Sequence, residues 1–215
     1  MSIITILLFF IYTWGLGTAL TLFTKNSDNF LERNIMRAGI GLGIFVVLSV
    51  LLNFLHIPLD WKIFLTLSLL GPSYLAYKQY KTKKFSFPKL TTSNLYILLV
   101  FILFFFTLNM YHTGAFAYPY LEDGDPWGHA IAIKYISLEK TAFEPFPGIN
   151  TFQYIDAYPP GYDILLAILH QTSHYISWTL KFFNSLIISL GIIFFYFFAK
   201  ELMNNKSKAL FATFA

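Results

Sequence analysis

Long apolar runs separated by short polar stretches set the pattern of this chain. A bilayer core takes about 20 apolar residues in a helix. Runs of that kind fall at residues 3–23, 38–57, 61–77, 94–112 and 181–200, with a weaker one at 158–177. Gly39, Gly41 and Gly43 near the start of the second run permit close helix approach. Ile57-Pro-Leu-Asp-Trp61 reads as a tight turn, and Tyr74 and Tyr77 close the third run at an interface. Residues 113–157 are too polar to span and form a long connector. Residues 207–215 read as the opening of a further span, so the chain is expected to be the N-terminal part of a longer protein. The pattern predicts an all-α polytopic membrane protein with five to six transmembrane helices. It divides into a three-helix region, 1–93, and a second region, 94–215, that holds the connector.

Composition agrees. Of 215 residues 56% are hydrophobic and only 12% charged, against about a quarter in a soluble domain. The first run has no basic stretch before it and is too long for a signal-peptide core, so it reads as a retained span. The net charge of +4 is a topology signal, because no basic stretch is interleaved with base-stacking aromatics. Membrane lipids are the expected partners and nucleic acid is not. The absence of cysteine excludes disulfides, cysteine metal sites and a cysteine nucleophile.

Charge then orients the chain. Lys78, Lys81, Lys83, Lys84 and Lys89 occur with no acid between them, which assigns the 78–93 loop to the cytoplasm. The 25–37 connector, with Lys25, Arg33 and Arg37, falls on the same side. The N-terminus and the 113–157 connector are then extracytoplasmic, as expected of a multi-pass protein of the cell membrane. Lys200, Lys206 and Lys208 lie outside if 158–177 crosses, against the rule, and inside if it is only half-buried.

The candidate chemistry sits in Tyr120-Leu-Glu-Asp-Gly-Asp-Pro-Trp-Gly-His129, where Glu122, Asp123 and Asp125 crowd into four positions. As local structure, Asp123-Gly124 is a turn dipeptide and Asp125-Pro126 is a helix start, Asp as N-cap and Pro at N1. Trp127, Ile131, Tyr135 and Leu138 then recur at three to four residues, describing a short amphipathic helix on the membrane surface. As chemistry, two aspartates flanking a glycine can turn towards one Mg²⁺ or Mn²⁺. His129 lies one turn past Asp125 and can share that site. Downstream, Asp163, His170 and His174 fall within about 20° of one line on a helix, a polar stripe that could serve as an ion or proton path. His170 and His174 could bind zinc, but no Glu stands between them and no third ligand stands out.

The cytoplasmic lysine loop, the external Asp-x-Asp, the surface helix and Tyr158-Pro-Pro-Gly-Tyr162 opening the next span together resemble the N-terminal part of GT-C membrane glycosyltransferases. Asp123-Gly-Asp-Pro-Trp-Gly-His129 is similar to the first acidic motif of oligosaccharyltransferase catalytic subunits. Gly128 departs from it, standing where an aromatic is common, and the similarity covers only residues 95–215. The resemblance implies transfer of a sugar or oligosaccharide from a polyprenyl-phosphate-linked donor outside the cytoplasm. It implies Asp125, Asp123 and Glu122 as catalytic groups. Asp125 and Asp123 would be the ligands of any Mg²⁺ or Mn²⁺, and His129, Tyr158 and Tyr162 would bind substrate. The competing expectation is a transporter or lipid-carrier flippase using the Asp163/His170/His174 stripe.

Overall fold

The computed structural model describes residues 2–24, 26–82, 92–143 and 159–215. These residues form helices and turns only. They are α1 (Ile3–Thr21), α2 (Phe30–Phe54), α3 (Trp61–Thr82), α4 (Thr92–Phe116), α5 (Gly124–Glu139), α6 (Gly161–His170), α7 (Ile176–Met203) and α8 (Lys206–Phe214). Lys83, Lys84, Lys89 and Tyr158 lie outside the described residues.

Four described helices, α1, α2, α4 and α7, are long and apolar enough to cross a membrane. α3 has the length but carries Lys62, Lys78 and Lys81, and is not one of the four. The second run begins earlier than its apolar pattern indicated. Asn29 Oδ1 accepts from Glu32 N at 3.1 Å, so the helix starts at Phe30 and takes in much of the expected connector. The weaker run 158–177 is not one helix. α6 has ten residues and is about 15 Å long, half a bilayer core.

The chain divides into two compact units. One comprises Met1–Lys25, Arg37–Lys84 and Tyr120–Leu180; the other comprises Asn26–Met36, Phe85–Pro119 and Lys181–Ala215. In the first unit α1 is the central element. Its Gly17 lies against the Arg37 carbonyl, and Gly41 of α2 lies against the Thr13 carbonyl, so a Cβ at either position would strike backbone. Gly43, expected to share this role, faces open space. Tyr12, Phe45 and Phe64 stack into the core beside these contacts.

One end of this unit is closed by polar bonds that join segments distant in sequence. Gln171 donates from Nε2 to Leu59 O (2.7 Å) and accepts at Oε1 from Trp61 N (2.9 Å). Asn53 Oδ1 accepts from Ala142 N (2.9 Å) and pairs with the Thr141 hydroxyl (3.0 Å). Leu59 N donates to Lys140 O (2.7 Å), and the Ser2 hydroxyl donates to Thr172 O (3.1 Å). At the other end of α6, Gly161 packs on the Val46 side chain. α6 therefore runs beside the C-terminal part of α2, its first residue about 12 Å short of the end of that helix.

In the second unit, Ile97, Val100 and Phe104 of α4 and Phe183, Leu186, Ile193, Tyr196 and Phe197 of α7 are buried. Asn205 caps α8 by accepting from Ser207 N and Lys208 N, and the Tyr96 and Ser207 hydroxyls pair at 2.9 Å. Lys200 Nζ reaches Glu32 Oε1 at 2.6 Å.

Candidate active site

The start of α5 differs from the helix start expected from Asp125-Pro126. The N-cap is Asp123, whose backbone is extended and whose Oδ1 accepts from Gly124 N at 2.6 Å. The helix therefore begins before Pro126, and Asp125 lies in its first turn with a side chain 62% exposed. The two aspartates have separate tasks. Asp123 satisfies a backbone N–H left open at the helix start, while Asp125 projects from the turn, where a negative charge suits the helix dipole. Trp127 holds the approach to the helix, its Nε1 donating to Leu121 O at 3.1 Å.

α5 has a second apolar face besides the predicted stripe. Trp127, Ile131 and Leu138 are exposed, and Ala130, Ala132, Ile133 and Ile136 are buried against α6. The helix is apolar on two sides, and packing selected the side whose alanines permit close approach. α5 is thus packed along α6 by this second face, and Trp127, Ile131 and Leu138 of the predicted stripe remain exposed.

Packing of α5 on α6 brings His129 to Asp163. Nδ1 of His129 is 2.8 Å from Asp163 Oδ1, and the carboxylate is buried, with 3% of its side chain exposed. The other ring nitrogen, Nε2, is 4.0 Å from Asp125 Oδ2. His129 therefore lies between an exposed and a buried carboxylate. Tyr162 meets the ring edge-on, with centroids 5.4 Å apart. Burial pushes the Asp163 carboxyl up to about 6 against the pull of His129, and burial likewise raises the Tyr162 hydroxyl above its ordinary range.

The structure thus joins residues that the sequence had divided between two hypotheses. Asp163, the first member of the expected stripe, pairs with His129 of the acidic motif. The stripe itself is not assembled. α6 ends at His170, and His174 lies beyond it, exposed. His170 is buried with Nδ1 3.3 Å from the Thr179 hydroxyl, and burial, with Lys134 and His174 nearby, lowers it to about 4. Glu122 is exposed, and Tyr158 is not described. Nothing in the spacing of a single sequence marks the His129–Asp163 pair. The available signal was an acid in the first turn of an otherwise apolar helix, which burial makes costly unless it is paired.

The described residues do not assemble a cation site. No three His, Asp or Glu side chains among them converge on one point. Asp123 is turned to Gly124 N, and Asp163 takes Nδ1 of His129. Comparison of the chain with family models, with curated proteins and with solved structures finds no match.

Proposed function

We propose that this chain is the membrane part of a glycosyltransferase that takes a sugar or oligosaccharide from a polyprenyl-phosphate-linked donor on the extracytoplasmic side. The observation that carries the reading is Asp125, exposed in the first turn of α5 with His129 Nε2 4.0 Å away. The four long apolar helices fit a lipid-linked donor. The lysines of the 78–93 loop fit a cytoplasmic segment and hence an acidic motif outside.

The chemistry is carried by side chains. Asp125 accepts the proton of the acceptor nucleophile. A bond forms between that nucleophile and the anomeric carbon of the donor, on the face opposite the phosphate. The carbon–oxygen bond to phosphate breaks, and the electron pair leaves with the polyprenyl phosphate. The first turn of α5 lies at the positive end of the helix dipole, which favours the anionic leaving group. Mg²⁺ or Mn²⁺, which the resemblance to GT-C enzymes implies, finds no assembled ligand set among the described residues.

The transporter reading places Asp163, His170 and His174 on one helix, and the helix that bears Asp163 stops at His170.

The test uses the intact protein in membranes supplied with radiolabelled polyprenyl-phosphate and polyprenyl-diphosphate sugars. The wild type is expected to remove sugar from one of these donors, and Asp125→Asn to slow that by about a hundredfold or more. A wild type that consumes none of them, or an Asp125→Asn variant of unchanged rate, overturns the proposal.

A further inference from the structure

We propose that the outward face of α7 is the contact surface of a homodimer, in which two copies of this chain pair α7 with α7 in parallel and Asn184 meets Asn184. The inference does not depend on the glycosyltransferase reading.

The sequence supplies a continuous seam. Asn184, Ile188, Gly191, Phe195, Phe198 and Leu202 follow one another at alternating steps of four and three residues. On a 3.6-residue helix they fall within about 40° either side of one line, and they run for about 27 Å, nearly a bilayer core. Steps that average 3.5 residues are those at which two helices stay in contact by winding round each other with a left-handed twist. The structure leaves this seam uncovered. All six positions are exposed, while the opposite side of α7 is buried through Leu186, Ile193 and Phe197.

An apolar seam alone is met by lipid. Two residues set this one apart. Asn184 lies three residues inside Lys181, within the apolar run 181–200, and its amide has no hydrogen-bond partner among the described residues. Acyl chains offer it none, and polar side chains on crossing helices turn to protein or water. Gly191, near the middle of the run, has nothing within 4 Å of the position a Cβ would take. Gly17 and Gly41 bring the backbones of α1 and α2 together; Gly191 offers the same close approach with no helix against it. The outward face of α4 is a contrast. It also exposes an asparagine, Asn109, but one turn before it stand Phe105 and Phe106, whose exposed rings hold a second helix off.

The amide selects the partner. Copies of one membrane protein share one orientation in the bilayer. A two-fold axis along the membrane normal therefore sets each residue of α7 opposite itself at equal depth. An Asn side chain carries two N–H donors and a carbonyl acceptor, so it is complementary to a second Asn. A single Asn among apolar seam positions also fixes the register, because any slip leaves both amides unbonded.

The chain has no cysteine, so single thiols can be placed along the seam. In native membranes, Ile188→Cys and Phe195→Cys are each expected to give a disulfide-linked dimer on mild oxidation, and Phe105→Cys on α4 is not. Stepwise photobleaching of the labelled intact protein in lipid bilayers, at falling protein density, should count two copies. Asn184→Leu should weaken that association by about tenfold, and Gly191→Leu should weaken it at least as much. Both substitutions lie on an exposed face, so the helical circular-dichroism spectrum should not change. A wild type that is monomeric at every density overturns the inference. So does an Asn184→Leu dimer of unchanged strength, or cross-linking from Phe105→Cys in place of the seam positions. Seam thiols that link only to a different protein assign the face to another partner and overturn the homodimer as well.

Discussion

Two carboxylates in this protein, one part-buried and one buried, meet basic partners, and the partners differ. In the second unit, Glu32 accepts from Lys200 Nζ at 2.6 Å. The same ammonium also approaches Glu201 at 3.6 Å and lies 5.8 Å from the Phe197 ring centroid. A lysine offers only donors, and here they are taken up. In the first unit, Asp163 meets His129 at 2.8 Å, but imidazole has two nitrogens. The second faces outward to Asp125 across 4.0 Å. One pair closes on itself and joins helices. The other sets an imidazole between a buried and an exposed carboxylate.

The comparison can be broken at several points. Asp125→Asn bears on it most, because it removes the outward charge and leaves the buried pair and the Asp123 cap in place. A loss of about two orders of magnitude or more in donor consumption, with an unchanged helical circular-dichroism spectrum, is expected. Next comes Lys200→Leu. It strands the Glu32 carboxylate and should destabilise the detergent-solubilised protein by about 3 kcal/mol, while Glu32→Gln with Lys200→Leu recovers much of that loss. Chemical-denaturation midpoints of the single and double variants measure it. Donor consumption per folded molecule should be unaltered.

The pH dependence of stability is a further distinction. The Asp163 carboxyl is raised by burial, so its protonated form is favoured in the folded state. Its contribution is fully present below the ordinary carboxylate range and is lost as pH rises through about 6. Wild-type stability should therefore decline by up to about 3 kcal/mol from pH 4 to above 6 relative to Asp163→Asn, which cannot titrate there. Denaturation midpoints of the two proteins across that range would show the difference. A difference that stays constant with pH would remove burial as the cause. The smallest effect belongs to Asp123→Ala, which removes a cap worth about 1 kcal/mol, whereas Asp123→Asn should be near neutral. If Asp123→Asn abolishes donor consumption while Asp125→Asn does not, the roles given to the two aspartates are reversed.

The long helices were legible because about 20 apolar residues in succession leave few alternatives to a helix able to cross a bilayer. Whether residues 158–177 cross was left open by the pattern, which marked them only as the weakest run. The helix ends where Gln171 bonds Leu59 and Trp61, more than a hundred residues away in the chain. The second apolar face of α5 was not legible for a related reason. Periodicity showed one apolar stripe, Trp127 to Leu138, and the alanine-bearing side is buried because α6 packs there. Asp125, His129 and Asp123 were recognised as a cluster from their spacing. Their division of labour was set by one bond, Gly124 N to Asp123, which places the cap two residues earlier than Asp125-Pro126 suggested.

The short α6 also has an arithmetic consequence. A helix that does not cross leaves the number of crossings before α7 unchanged. On the proposed topology, with the 113–157 connector outside, α7 then carries the chain back inward. Lys200, Lys206 and Lys208 join Lys78 and Lys81 on the cytoplasmic side, and the basic residues no longer contradict one another. Because the chain has no cysteine, Ser207→Cys supplies a unique thiol to read this parity. In sealed, right-side-out cells an impermeant maleimide should label it only after the membrane is opened; labelling in intact cells would mean an odd crossing at α6 or a different sidedness for the whole chain.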